Sequence, residues 1–448
     1  MTVHTCGVES CDVDPLFDRV GETTGADQVR LADEKLFQSQ LTRTYAGSPF
    51  LRRKFAEAGL SLDAVRGLAD LPLIPFTVKD ELRAAQEDAP PFGDYLVADP
   101  HDVKRIYQTS GTTGRPSLLA LTAVDSKMMT HVGSRTYRAL GVHPHHRVLV
   151  TSGAGPFIAG HSYLVLENLE CGVVPVAPGN TDKVISALRL GLVDSVVLTS
   201  SFALYLVDRF AADGLDVANM GLVNVFIGGE PGAGLPEVRK QLEAGFGTPV
   251  RELMGIGDVC GALFGECSFG GGMHFNGQGY VYPELIDEQG NVVPIEEGAT
   301  GELVYTSLVR EAMPMIRFRS RDFARITGTS CECGRTGFKM VVSGRLDDMF
   351  IVRGVNVYPS AVQAVVADFR PRTTGRCRVV LPKGQQMVSP PVEIKVEVPD
   401  GDAGDSQLAA ELEAELRARL IFRSLVKLVP ASEFGASDYK TRLVVRRD

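Results

Sequence analysis

A chain of 448 residues is too long for one compact core, so two or more domains are expected, and a formal net charge of −9 with scattered basic residues argues against a nucleic-acid partner. Apolar runs such as 147–151 and 195–199 are far shorter than the ~20 residues that cross a bilayer, and the first residues carry no basic-then-apolar leader pattern, so no membrane is expected. Eight cysteines without the density of a small secreted domain point to reduced thiols or metal ligands, and to a cytoplasmic protein.

Residues 1 to about 30 have no readable periodicity. At 106–117 the sequence IYQTSGTTGRPS packs hydroxyls and glycines together: Ser110, Thr112 and Thr113 can donate hydrogen bonds, while Gly111 and Gly114 let successive amides turn toward one anion. No Lys follows Gly114, so this is not a GxxxxGK[ST] loop, and a plain hydroxyl-rich surface turn is the other reading. Short β-branched runs then alternate with helical stretches. Residues 147–151, 195–199 and 222–228 read as buried strands and 235–244 as a helix, the pattern of a parallel sheet covered by helices. Loops that carry chemistry should leave the carboxyl ends of those strands, as GGEPG at 228–232 does. After Gly344 a second unit begins, with a strand at 349–352, a helix opening at Pro359-Ser360, an alternating strand at 392–398 and an amphipathic helix at 406–421. The fold class predicted is α/β, with a large N-terminal domain over 1–343 and a small, mobile α+β domain over 344–448.

The loop at 106–117 resembles the phosphate loop of the AMP-forming adenylating superfamily of acyl-CoA synthetases, carrier-protein adenylation domains and luciferase-type enzymes. GGEPG at 228–232, TGELVYTSLVREAMPMIRFRSRD at 300–322, CECGRTG at 331–337 and SGRLDDMFIVRGVNVYPS at 343–360 resemble the phenylacetate-CoA ligase group within it. That resemblance runs from about Pro72 to Lys440. It implies that Thr109, Ser110, Gly111, Thr112, Thr113 and Gly114 hold ATP phosphates, that Gly229, Glu230 and Pro231 pass beside the adenine, and that Asp322 accepts hydrogen bonds from both ribose hydroxyls. Arg345 follows as a second ribose or phosphate contact, and Asp347 is the hinge pivot. Lys440 matches the catalytic lysine that steadies charge between the α-phosphate and the acyl carboxylate.

Two positions depart from the group's pattern. Met254-Gly255-Ile256-Gly257-Asp258 stands where the family has Tyr-Gly-x-Ser/Thr-Glu, so the Mg²⁺-binding carboxylate is one methylene shorter. The family's Gly-Lys-Thr/Ala pattern appears as Tyr439-Lys440-Thr441. The acyl pocket lies, by resemblance, beside 153–161 and Gly255-Ile256, with Phe157 as an apolar wall. His161 is either a contact for a polar substituent or a satisfied loop histidine, and Tyr163 aligns better than His161 with the family's histidine.

Cysteine spacing adds a site of its own. Cys267 and His274 lie seven residues apart, and Cys331-Glu-Cys333 follows some sixty residues on. Three thiolates and an imidazole form the full complement of a closed tetrahedral zinc site, structural because no position stays open for water.

The function expected is an AMP-forming ligase that adenylates a small, aromatic carboxylic acid with ATP and Mg²⁺ and transfers the acyl group to coenzyme A. Three alternatives stand beside it: a diazotase activating nitrite for an aromatic amine, an enzyme loading a carrier protein, and a nucleotide-binding regulator without catalysis. Its partners are small molecules, with a carrier protein and a homodimer left open.

Overall fold

A computed structural model describes residues 14–109, 117–153, 155, 157–230, 232–353, 355–383, 385, 387–399, 402–434 and 442–447. Ser110, Gly111, Thr112, Thr113, Gly114, Pro231 and Lys440 lie outside the described residues.

A twelve-stranded sheet organises the first three-quarters of the chain. Five parallel strands come first in space: Gly172–Pro175, Arg147–Val150, Ser195–Leu198, Asn224–Gly228 and Val250–Ile256. The sequence predicts three of these, each within two residues of its observed ends. Both faces are covered, which explains their β-branched composition. Along Asn224–Gly228, Val225 and Ile227 pack into one apolar cluster with the helices Thr181–Arg189, Ser200–Ala212 and Pro236–Phe246. Phe226 points the other way, edge-on to Tyr137 of the helix Ala123–Ala139 at 6.4 Å.

The sheet then continues through antiparallel strands that the sequence does not predict: Cys260–Glu266, Met273–Phe275, Lys339–Arg345, Phe318–Gly328, Thr300–Ser307, Val281–Ile286 and Val292–Val293. Their inward residues close a second large core around Phe264, Phe275, Tyr305 and Phe338. At the front of the chain, the helix Ala26–Gly47 buries Phe37 and Leu41 against Leu51, Phe55 and Leu71, a packing invisible as a periodic stripe.

Beyond residue 349 the chain builds a separate apolar core. Strand Phe350–Val352 pairs with Val355–Val357 on one side and with Met387–Val388 on the other, and a four-stranded sheet runs Ser424–Pro430, Val392–Val398, Cys377–Pro382, Val444–Arg447. The helices Pro359–Ala367 and Ser406–Leu420 contribute Val362, Val366, Leu408, Leu412 and Leu416. Several contacts tie this unit to the rest of the molecule. Phe323 and Tyr358 stack at 6.0 Å, Gln241 Nε2 donates to the Ala367 carbonyl at 2.7 Å, and Arg370 pairs with Asp208.

Candidate active site

The strands Arg105–Gln108 and Leu118–Leu121 form an antiparallel hairpin whose register runs Arg105↔Leu121 to Gln108↔Leu118. In sequence the two strands are joined by the hydroxyl–glycine segment, and Thr109 N donates to the Ser117 carbonyl at 3.0 Å. Gln108 bridges in parallel to Phe157, which brings the predicted acyl-pocket segment against the hairpin. Thr109 itself is buried and lies over Gly257, where an added Cβ would sit 3.4 Å from Thr109 Cγ2. The parallel strand Asn224–Gly228 ends in Gly229, whose φ of +85° is a left-handed conformation that favours glycine. Glu230 turns back, its Oε1 accepting from Ser201 N at 2.6 Å and from the Ser200 hydroxyl at 3.3 Å. Its carboxylate therefore caps the helix Ser200–Ala212, so any base recognition by this loop falls to backbone groups.

Val250–Ile256 leads into the segment predicted to hold Mg²⁺. Gly255 is required there for packing, because a Cβ would meet the Gly261 carbonyl oxygen at 2.0 Å. Ile256 is buried in the core, and Asp258 follows, nearly buried, with Oδ2 accepting from Lys79 Nζ at 2.8 Å. Lys79 begins the helix Lys79–Asp88, whose Gln86 ties to the hairpin: Leu118 N donates to Gln86 Oε1 at 3.0 Å and Gln86 Nε2 donates to the Leu118 carbonyl at 2.8 Å. Beneath the loop lies Arg310, 1% exposed, donating through Nη1 to the Val259 carbonyl at 2.8 Å. Neither Lys79 nor Arg310 is singled out by the sequence. Arg310 sits inside a motif already read as diagnostic, and a charged residue flanked by Leu308-Val309 and Ala312-Met313 was the signal available.

Asp322 and Arg345 face each other across neighbouring antiparallel strands, and Arg345 Nη1 donates to Asp322 Oδ1 at 3.1 Å. The same guanidinium grips Asp347 through Nε at 2.9 Å and Nη2 at 2.7 Å, so one cation joins the predicted ribose carboxylate to the predicted pivot. Asp322 is 5% exposed. Burial, with the Asp322 charge beside it, pushes the Tyr305 phenol well above its ordinary value and leaves it a neutral donor without a partner among the described residues. Arg446, near the end of the chain, donates to the Asp347 carbonyl at 3.3 Å.

His161 is 3% exposed, with both ring nitrogens engaged: Tyr107 Oη lies 3.4 Å from Nδ1 and Thr130 Oγ1 lies 3.1 Å from Nε2. Burial, with the charges of Arg105 and Arg310 adding to it, lowers its pKa to about 4. A neutral imidazole held from both sides acts as a strut between hairpin and helix. Tyr163 is half-buried and packs against the cluster under the parallel strands.

Cys267, His274, Cys331 and Cys333 come together with all four donor atoms within 4.8 Å of one another. Cys267 and Cys331 sulfurs are 3.7 Å apart, and Cys333 Sγ lies 3.4 Å from His274 Nε2. The other ring nitrogen, Nδ1, lies 3.0 Å from the Gly337 carbonyl and must donate to it, which leaves Nε2 as the lone-pair end facing the sulfurs. The next residues clasp the start of the chain. Arg335 Nε donates to Glu22 Oε2 at 2.7 Å with both side chains buried, Thr336 N donates to the Glu22 carbonyl at 2.9 Å, and Thr336 Oγ1 donates to the Thr24 carbonyl at 2.7 Å.

A hairpin beside the sheet, a glycine turn at a parallel-strand end and a carboxylate-bearing strand, followed by a small α+β unit, are the architecture of an AMP-forming ligase. The family description "AMP-binding enzyme C-terminal domain" matches residues 354–447. Phenylacetate-coenzyme A ligase of Thermus thermophilus is 34% identical over 349 residues, covering 77% of this chain and 76% of that protein. The chain belongs to the phenylacetate-CoA ligase family. Among solved structures, 2-hydroxyisobutyryl-CoA ligase in its postadenylation state superposes with a TM-score of 0.87 at 26% identity, covering 98% of this chain and 94% of that one. The same ligase in its thioesterification state gives 0.72 at 27% identity with the same coverage. Because both neighbours are one protein, the difference reflects arrangement rather than fold. No helix among the described residues is long and apolar enough to cross a membrane.

Proposed function

We propose that this chain converts a small carboxylic acid and ATP into an acyl-adenylate and then into the acyl thioester of coenzyme A. The carrying observation is that the Gly229 turn and the Asp258 segment follow neighbouring strands of the twelve-stranded sheet, with the separate hairpin packed against Gly257 through Thr109, in a chain whose curated relatives are ligases of this kind. In the first half-reaction a carboxylate oxygen attacks the α-phosphorus and pyrophosphate departs. In the second, the thiol sulfur attacks the acyl carbonyl carbon, the thiol proton is lost, and AMP leaves with the oxygen the acid supplied. Ser110–Gly114 and Thr109 would cradle the phosphates, Asp322 and Arg345 would hold the ribose, and Lys440 would offset charge on the reacting phosphate and carboxylate.

Asp258 fits a hard divalent cation because its nearly buried carboxylate follows Gly257, the residue that lies against Thr109 of the hairpin, and already holds a cation, the Lys79 ammonium. Mg²⁺ bound there would neutralise departing pyrophosphate, and Lys79 would yield Oδ2 or share the carboxylate. Cys267, His274, Cys331 and Cys333 fit zinc: a tetrahedron with ~2.3 Å Zn–S bonds has S···S edges of about 3.8 Å, against the 3.7 Å between Cys267 and Cys331. A disulfide would need about 2.05 Å.

The small unit after Gly344 is the mobile domain of this reading, with Asp347 as pivot. Its support is the higher similarity to the postadenylation neighbour, together with the Arg345–Asp347 grip, which rotation would have to break. An aromatic acid is the substrate expected, with Phe157 and Ile256 as walls. AMP release measured over a panel of aryl and aliphatic acids, with coenzyme A and with a carrier-protein phosphopantetheine as acceptors, tests the reading. Thioester formed only on the carrier would replace coenzyme A as acceptor.

A further inference from the structure

Arg310 is among the largest fully buried side chains of the protein, yet its Nε and Nη2 have no hydrogen-bond partner among the described residues. Unpaired donors on a buried cation are costly, so such a group persists only where the surrounding structure over-determines it. The surroundings do so here. Asp125 accepts from Glu311 N at 2.6 Å and from Ala312 N at 2.9 Å, Thr122 Oγ1 donates to Glu311 Oε2 at 2.7 Å, and Arg43 Nη1 donates to the Glu311 carbonyl at 3.2 Å. The capped start of the helix Ala123–Ala139 and the helix Ala26–Gly47 thus fix the backbone on which Arg310 stands.

From that platform one arm of the guanidinium reaches a single place, the loop carrying Asp258. Nη1 lies 2.8 Å from the Val259 carbonyl and 3.5 Å from that of Asp258. Holding the carbonyls of two successive residues fixes the peptide planes on the carboxyl side of Asp258, and with them the direction in which its carboxylate leaves the backbone. A short side chain has little slack with which to correct a misplaced backbone, and this chain has the shorter acid at that position.

We propose that Arg310 is a positioning residue for adenylation, holding the Asp258 backbone so that its short carboxylate meets the nucleotide-bound metal. The proposal rests on the reading of Asp258 as the Mg²⁺ ligand. In this role Arg310 acts through Asp258.

The test measures the Mg²⁺ concentration giving half-maximal pyrophosphate release, alongside the thermal midpoint and metal-free AMP binding. Arg310→Met should raise the Mg²⁺ requirement about tenfold, the scale of a lost charge-assisted hydrogen bond, while AMP affinity stays within about twofold. Arg310→Lys, which keeps the charge but not the planar fork, should fall between and carries the test if the methionine variant does not fold. In an Asp258→Asn background either Arg310 substitution should change the Mg²⁺ requirement no further, because the group it positions is gone. A lower thermal midpoint with an unchanged Mg²⁺ requirement, or equal effects in both backgrounds, overturns the proposal and leaves Arg310 a strut. Asp258→Asn with the parent's Mg²⁺ requirement overturns the Asp258 reading, and the positioning role with it.

Discussion

Cys333→Ser exposes the metal cluster to a quantitative test. Cys333 is one of four donors and also begins the Cys333–Gly337 turn that clasps residues 15–24, so its loss acts on two things together. A ligand that binds only the native state and is present at a thousandfold excess over its dissociation constant stabilises by about 4 kcal/mol. At about 2–4 °C per kcal/mol for a domain of 150–250 residues, and less for a larger cooperative unit, the expected loss is on the order of 5–10 °C. The clasp adds a local signature. Glu22 and Arg335 are 1% and 3% exposed at their side chains, so freeing the turn uncovers a buried ion pair and the Thr336 amide bonded to the Glu22 carbonyl. Elemental analysis should give one zinc per parent chain and less in the variant. Hydrogen exchange should show faster exchange at Gly21, Glu22 and Thr336 both in Cys333→Ser and in chelator-treated parent protein. Cys377→Ala, buried in the core of the small unit, should leave the zinc content unchanged. A zinc-to-protein ratio near zero in the parent, or substitutions at all four donors that melt like the parent, would refute the reasoning.

Three further outcomes follow from the site. Lys440→Ala should slow adenylate formation by about 10²-fold or more while largely sparing thioester formation from supplied acyl-adenylate, measured by single-turnover assays of each step; equal loss in both would remove the alternation. Asp322→Ala should raise the KM for ATP by about tenfold or more through lost ribose hydrogen bonds, with pyrophosphate affinity unchanged; equal weakening of both would mean that the change reaches beyond the ribose. His161 is held neutral with a pKa of about 4 against an ordinary 6.5, so its contribution to stability is complete above about pH 6.5 and is lost as pH falls toward 4. His161→Gln should therefore flatten that acid limb in a plot of thermal midpoint against pH, and an unchanged limb would place the acid sensitivity elsewhere.

The parts of the fold legible in the sequence are those where burial and period coincide. Val392–Val398 alternates buried and half-buried along most of its length and the sequence predicts it to the residue, and the helix Ser406–Leu420 is legible from Leu408, Leu412 and Leu416 at four-residue spacing. Phe318–Gly328 escaped because its buried face carries Ser320 and Asp322 as well as Phe318, Ala324 and Ile326, with Arg319, Arg321 and Arg325 on the other side. Polar groups buried for chemistry erase the pattern that marks a strand. The helix Ala26–Gly47 escaped for a different reason: it buries Asp33, Gln40 and Thr44 beside Phe37 and Leu41, so no continuous apolar stripe remains. The metal donors were readable because cysteine and histidine spacing is informative without regard to secondary structure. Lys79 and Arg310 were not, since their partners lie 179 and about 50 residues away in sequence and only the tertiary fold brings them to the Asp258 loop.

The central claim, activation of a carboxylate as its adenylate, is tested most directly with an acid labelled with ¹⁸O in both carboxylate oxygens. Incubated with ATP, Mg²⁺ and coenzyme A, the protein should release AMP carrying one ¹⁸O atom on its phosphate, in a quantity equal to the thioester formed. ADP as the nucleotide product, unlabelled AMP, or AMP released with nitrite but with none of the acids would contradict it.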